Sequence, residues 1–514
     1  MNPQDLPTPL SPAVASSPPP GVDAPGYDRS ALVPSVVHLG VGGFHRAHQA
    51  VYLDDLARRG ETGWGVVGVG LHSSRMRDAL APQDNLYSVV VRGPEHDEVR
   101  LVGVLVGYLY APDDPEAVLE RLADPRTRLV TLTITGTAYP ADDGVDPSVP
   151  EVAADVENPH APGTAFGYLV EALDRRRRRG TGPFTVLSCD NVQHNGARTR
   201  EAVLATAHLR DPELADWIAA NVTFPSSMVD RITPETVPED REELARRHGL
   251  RDRWPVVTEP FSQWVVEDSF CAGRPALEEV GVQFTGDVLP YEIMKTRLLN
   301  GAHCALGYLG SLAGFRTTDE AMADPRVRAF VEGFLAEASA LLLDVPGIDL
   351  SRYCATLVER FSNPRVGDQL PRLCRRGSTK VPEYLLPSLR QAVDQNRPRR
   401  HLVLALAAWL RYLRGVDYAG EAIEVQDAHA ERLTAAARAG GTDPGALLCQ
   451  RDVFAGFGDS VRLREELREQ LRALEAGPLE AALALRTGRS AVADPDPRAE
   501  RDQPVPAAGR GAAA

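Results

Sequence analysis

Cysteine is scarce in this chain and follows no pattern. Six residues among 514 (Cys189, Cys271, Cys304, Cys354, Cys374 and Cys449) are scattered through apolar runs without CxxC or other ligand spacing. That argues against a disulfide-stapled secreted domain and for a reduced, cytoplasmic setting. Histidine spacing of the HExxH type is also missing, so no zinc centre is expected and no metal is assigned. Positive charge is in deficit, with 56 Lys+Arg against 71 Asp+Glu and a formal net charge of -15. A chain of that sign repels nucleic acid and anionic lipid unless its basic groups are strongly segregated. The one basic run, Arg175 to Arg179, follows an apolar helical pattern and reads as the solvated end of a helix, where cations complement the dipole. No apolar stretch reaches the roughly 18 residues that span a bilayer, and no basic n-region opens an export signal. Neither nucleic acid nor membrane is therefore an expected partner. Internal repeats at solenoid periods are lacking too.

What is present is an ordinary globular composition, 43% hydrophobic and 25% charged, long enough for two cores. Residues 1–30 are rich in Pro, Ser and Ala, as are residues 489–514, and both ends are expected to be disordered tails. From Val33 to about Asn191, β-rich runs (SVVHLG, WGVVGVG, LYSVVV, VRLVGVLVGYL, RLVTLTIT, FTVLSCDN) alternate with helical segments, namely Arg46 to Arg59, Pro115 to Leu122 and Thr164 to Arg176. Such alternation predicts an α/β, mostly parallel, doubly wound sheet of Rossmann type over residues 31–288. VTFPSSMVDRITP and WPVVTEPFSQWVVED read as further strands and loops around it. After Pro290 the spacing turns to period 3.6 in Tyr291 to Leu312, Pro325 to Leu343, Val381 to Gln395 and Arg400 to Leu413, which predicts a mostly α-helical domain over 289–488.

Directly after the first strand comes Gly40-Val41-Gly42-Gly43-Phe44-His45-Arg46, leading into a helix. Glycines at such a turn let the backbone approach a pyrophosphate, whose charge then sits at the helix N-terminus. Six of these seven positions, Gly40, Gly42, Gly43, Phe44, His45 and Arg46, form the candidate cofactor site. The third glycine of GxGxxG is replaced by His45, and a purely structural tight turn would use the same residues. After the second strand the acidic residue that usually meets the ribose 2′-hydroxyl is absent. Ser73, Ser74 and Arg75 stand there instead, so NAD is assigned with NADP left open.

The segment YEIMKTRLLNGAHCALGYLG carries the candidate chemistry. At about 100° per residue, with Lys295 at zero, Glu292 falls near 60°, His303 near 80° and Asn300 near 140°, a polar wall on one side of a helix. Oxidising a secondary alcohol needs a base for the hydroxyl proton and donors for the developing alkoxide. A lysine withdrawn from water can be that base, because burial disfavours its charged form. Equally, Lys295 could be a surface lysine and His303 a satisfied core histidine.

Taken together, HLGVGGFHRAHQAVYLD, LTIT, SCDNVQHNG, FPSSMVDRITP, WPVVTEPFSQWVVED and the YEIMK segment resemble the mannitol dehydrogenase family of polyol-specific long-chain dehydrogenases, over Val33 to about Leu485. The resemblance implies a metal-independent oxidoreductase interconverting a sugar alcohol and its keto sugar, D-mannitol and D-fructose first. It also implies a Rossmann-type domain, a helical domain, a cleft between them and, weakly, a monomer. Carried over by position, Lys295 would be the general acid/base, Asn191 and Asn300 the oxyanion hole and His303 a substrate-positioning group. Glu292 would link the lysine to solvent, Asp230 would accept from a substrate hydroxyl, and Arg372 and Lys380 would donate to the polyol chain. D-Arabinitol oxidation, D-fructuronate or D-tagaturonate reduction and a phosphorylated hexitol are the sibling activities. Arg375 and Arg376 could serve an anionic substrate, or stand as helix-end or surface arginines. A Rossmann redox-sensing module is the alternative outside enzymes. One departure from the family pattern is Gly136-Thr137-Ala138-Tyr139, where an acidic residue and glycines usually follow LTIT and line the nicotinamide pocket.

Overall fold

The computed structural model describes residues 7–140 and 144–487. Within them the chain packs into two compact units. The first holds the described residues up to Lys295 with Leu343–Ile348 and Asn363–Gly367, and the second holds Thr296–Leu342, Asp349–Ser362 and the described residues from Asp368 on.

Five strands build the central sheet of the first unit: β1 (Pro34–Leu39), β2 (Gly65–Gly70), β3 (Leu105–Tyr110), β4 (Leu129–Leu132) and β5 (Thr185–Ser188). All pair in parallel in the order β3-β2-β1-β4-β5, the order of a nucleotide-binding doubly wound sheet. The runs are Val- and Leu-rich because both sheet faces are covered. Val37, Leu39, Val130 and Val186 pack on one side under helix Ala165–Arg179, and Val36, Val66 and Leu129 on the other under helix Gln49–Arg58.

Two strands expected in this sheet lie elsewhere. Tyr87–Arg92 and Asp97–Val102 pair antiparallel in a four-stranded sheet, between Val256–Thr258 and Val22–Asp23. The four residues joining them are enough for a hairpin but too few for the crossover that a parallel neighbour requires. A further three-stranded sheet joins Ser227–Asp230, Gln263–Glu267 and Gln283–Thr285.

The expectation of a disordered tail over residues 1–30 is corrected for its described part. Thr8–Pro9 pairs with Leu250–Arg251, Pro12–Ser16 is a helix capped by Ser11, and Val22–Asp23 adds an edge strand. Leu10, Val14 and Val22 are buried against Val90, Val99 and Leu250, so three well-spaced apolar side chains outweigh a Pro-, Ser- and Ala-rich composition. Residues 1–6, and the whole of the expected C-terminal tail at 489–514, lie outside the described residues.

The basic run ends helix Ala165–Arg179 as expected, with Arg178 and Arg179 exposed, and it is also tied into ion pairs. Arg175 meets Glu116, Glu120 and Glu171, Arg177 meets Asp174 and Asp211, and Arg178 meets Asp174. Arg176 is buried and donates to the carbonyls of Leu122, Asp124 and Gly182.

The second unit is helical. Gly301–Leu312 packs on Arg400–Tyr412, which is apolar on every face from Leu402 to Leu410 and packs in turn against Pro325–Ser339 and Val461–Glu475. Leu289–Lys295, expected with the helical domain, belongs to the first unit and packs on strand Ser227–Asp230. Tyr291 anchors it there, its hydroxyl donating to Pro346 O at 2.7 Å. Residues Thr296–Asn300 then form a π-turn. Its wider ring, closed by i to i+5 bonds, breaks the 100° count beyond Lys295, so the wheel angles read for Asn300 and His303 do not hold. Among the described residues no helix is long and apolar enough to cross a membrane, and no cluster of three or more His, Cys, Asp or Glu could hold a metal ion.

Candidate active site

The turn after β1 is fixed by Gly40. Its φ is +93°, and a Cβ there would stand 2.4 Å from Thr133 O, so the fold itself demands glycine. Gly42 differs: a Cβ would meet only Gly40 O, at 3.9 Å. The chain therefore leaves an open approach to the backbone at the start of helix Gly43–Ala47, the cradle that a dinucleotide pyrophosphate needs.

His45 and Arg46 do not present their side chains to that cradle. Both are buried, at 1% and 0% exposure. His45 stacks on His38, with ring centroids 3.4 Å apart and 12° between planes, while Arg46 lies over the Tyr87 ring and donates to Trp254 O. Phe44 is half-buried, stacked on His48 at 4.9 Å.

Beneath the turn Thr133 Oγ1 donates to Gly40 O at 2.8 Å, so the His38 nitrogen 2.9 Å away, Nε2, must donate to Thr133. His38 Nδ1 then accepts from Thr131 Oγ1 at 2.7 Å. Burial pushes His38 and His48 down to about 3, and holds His45 well below the usual imidazole range, aided by repulsion from His38 and Arg46.

At the end of β2 the exposed Arg75 lies 5.3 Å from the Trp254 ring, and the Asp78 carboxylate is already engaged by Ser74 Oγ and Arg77 Nε, each at 2.9 Å.

Lys295 closes its helix with 7% exposure, and its Nζ donates to Asn191 Oδ1 in a short hydrogen bond. Asn191 itself is exposed, just past the end of β5. One turn before the lysine, Glu292 is buried and accepts from the backbone N–H of His194 at 3.3 Å, while its other oxygen has no hydrogen-bond partner. Burial pushes its carboxyl above the usual range. Asp230, at 3% exposure, ends the strand on which this helix packs. The first unit thus assembles Lys295, Asn191, Glu292 and Asp230 on neighbouring elements.

In the second unit Asn300 ends the π-turn with its amide nitrogen buried and lacking a hydrogen-bond partner. An orphaned donor of this kind is an invitation to an oxygen ligand. His303 follows on the next helix, its ring 4.7 Å from Phe361. Arg372 and Lys380 are both committed within the unit: Arg372 forks onto Asp368 at 2.8 and 2.5 Å, and Lys380 donates to Leu373 O at 3.1 Å. Burial pushes the Lys380 amine below its usual range. Arg375 and Arg376 are exposed.

Sequence reasoning assigned no role to Asp190 or His38. Their only signal was polar residues placed at the carboxyl ends of parallel strands, where ligands of open α/β sheets bind.

Residues 34–279 match the Mannitol dehydrogenase Rossmann domain and residues 287–475 the Mannitol dehydrogenase C-terminal domain. The chain is 46% identical over 462 residues to the mannitol 2-dehydrogenase of Aspergillus fumigatus, covering 87% of this chain and 91% of that one. It is similar in structure to the Pseudomonas fluorescens mannitol 2-dehydrogenase in ternary complex with NAD and D-mannitol (TM-score 0.84, 41% identity, 94% of this chain and 100% of that). A D-sorbitol dehydrogenase in substrate-free form is also similar (TM-score 0.84, 37% identity, 92% and 100%).

Proposed function

Because the chain belongs to the mannitol dehydrogenase family, oxidoreductases acting on the CH–OH group of a polyol, we propose that it interconverts D-mannitol and D-fructose with NAD. The observation that carries this reading is the buried Lys295, held through Nζ on Asn191 Oδ1 one helical turn beyond a buried carboxyl group. A buried ammonium with an amide oxygen for partner can release its proton, take up that of a substrate hydroxyl and return it in the reverse direction.

Lys295 removes the proton of the C2 hydroxyl as the C2–H bond breaks. Bound NAD would lie on the Gly40–Phe44 turn and supply the hydride acceptor. Asn191 and Asn300 donate through their amide nitrogens to the developing alkoxide, and a donor fixed before reaction stabilises that charge most. Glu292, kept protonated more readily by burial, passes the proton between Lys295 and water. Asp230 accepts from a second substrate hydroxyl, and His303 orients the chain of carbons. Lys380 and Arg372 donate to the polyol hydroxyls through N–H groups other than those that meet Leu373 O and Asp368. No step uses a metal.

The testing experiment is reduction of D-fructose followed through NADH absorbance, with D-xylulose and D-fructuronate in parallel. The expected result is fastest turnover with D-fructose. A preference for D-fructuronate would overturn the substrate assignment.

The assignment to NAD leaves NADP open as a second coenzyme. The turn after β2 offers the Ser73 hydroxyl and the Arg75 guanidinium, which suit a 2′-phosphate, and the Asp78 carboxylate that follows is already paired. Arg75→Asp is expected to move the ratio of kcat/KM for NAD over NADP about 10-fold toward NAD, the effect of roughly 1.4 kcal/mol. An unchanged ratio would remove Arg75 from coenzyme choice.

A further inference from the structure

Thr135 is held where threonine seldom goes. Its φ of 73° and ψ of 151° fall in a region left almost wholly to glycine. The backbone there is over-determined by one carboxylate: Thr135 N–H donates to Asp190 Oδ1 at 2.7 Å and Ile134 N–H to Asp190 Oδ2 at 3.2 Å. Tyr139, at the far end of the same turn, donates from its hydroxyl to Asp190 Oδ2 at 2.9 Å and lies 2.7 Å from Ser188 Oγ. The Asp190 carbonyl is tied from the other side by Asn195 Nδ2, at 3.0 Å. Asp190 is buried, and the next residue is Asn191, whose side chain holds Lys295. The turn it pins begins at Thr133, whose hydroxyl bonds Gly40 of the cofactor turn.

We propose that Asp190 is a positioning residue for the reaction. Its carboxylate locks the strained turn after β4 to the end of β5, and so sets Asn191, and through it Lys295, against the glycine turn that would seat the coenzyme. This rests on the Lys295 reading above and adds to it a residue that touches neither substrate nor coenzyme. The lock uses both carboxylate oxygens as acceptors. Asparagine keeps one acceptor and brings an N–H against a backbone N–H, so Asp190→Asn must release at least one of the two backbone bonds.

The test measures kcat, both KM values, the pH dependence of kcat and the melting temperature of Asp190→Asn and Tyr139→Phe. A displaced base costs turnover even when chemistry residues are intact. The expected result for Asp190→Asn is a kcat lower by about 10-fold or more, with a smaller change in KM for the polyol and a shifted pH limb of kcat. Thr135→Gly in the same background is expected to recover part of the loss, because glycine adopts this backbone without the steric strain that the two hydrogen bonds offset in threonine. Should Asp190→Asn fail to fold, Tyr139→Phe removes one bond to the carboxylate and is expected to lower kcat and move the pH limb in the same direction. A lower melting temperature with unchanged kcat and pH limb in the variants that fold would make Asp190 merely structural and overturn the proposal. Wild-type turnover in Lys295→Ala would instead defeat the underlying reading, whatever Asp190 does.

Discussion

Lys295→Ala is expected to turn over at least about 100-fold more slowly than the wild type, as for loss of a general base, while NAD still binds. The glycine turn and the lysine occupy separate elements, so removing the amine leaves the coenzyme cradle as it was. What disappears is the group able to take the hydroxyl proton, together with the hydrogen bond that orients Asn191. Steady-state oxidation of D-mannitol at saturating substrate reads the first effect, and coenzyme titration by protein fluorescence reads the second. Lys295→Met, close in shape but without charge, should match alanine, since the proton site and not the packing is decisive. Asn191→Ala should lower kcat more than it raises KM, because an alkoxide donor acts chiefly in the transition state. Turnover near the wild-type level in Lys295→Ala would sink the mechanism.

Acid should unfold the first unit well before its carboxylates are all protonated. His38, His45 and His48 are buried and neutral in the folded chain, with His38 and His48 pushed to about 3 from an ordinary value of 6.5. The sign follows from proton uptake. Above pH 6.5 neither state binds these protons and the histidines are indifferent. Below it the unfolded chain takes them up while the folded chain refuses until about pH 3, so stability falls across that window. Each of the two contributes on the order of 1.4 kcal/mol for every pH unit of the descent, so between pH 6 and 4 a few kcal/mol are lost, a large share of a usual folding free energy. Thermal melts followed by near-ultraviolet dichroism from pH 7.5 to 4 should show that slope. His45→Phe, which keeps a ring on His38 and removes two buried nitrogens without partners, should flatten it. A melting temperature constant down to pH 4.5 would contradict the expectation.

The sheet was legible because short β-rich runs alternate with helical segments, and β1, β2, β4 and β5 lie where that alternation places them. The hairpin Tyr87–Arg92 with Asp97–Val102 escaped because a β-rich run does not reveal its partner; only the four-residue connection, weighed against the length of a crossover, could have done so. Lys295 and Asn191 stand out through the motifs that carry them, yet their direct bond joins residues 104 positions apart, beyond any spacing rule. The burial of His45 and Arg46 was hidden for the opposite reason. Polar residues in a glycine-rich turn read as ligand contacts, whereas here the second half of the motif turns inward to fill space behind the first. The π-turn at Thr296–Asn300 leaves no trace in composition, and a helical wheel silently assumes it away.

The arm from Thr8 to Asp23 stands outside the family match, which begins at residue 34, yet it closes two sheets. A chain shortened to the start of that match would keep every residue assigned to chemistry and lose a guard. The Asp97–Val102 edge would stand open along its backbone, and the pocket left by Leu10, Val14 and Val22 would face water beside it. An open strand next to uncovered apolar side chains is a template for the same strand of another molecule. Removing the residues that look most dispensable in the sequence is therefore expected to make copies of this protein adhere to one another.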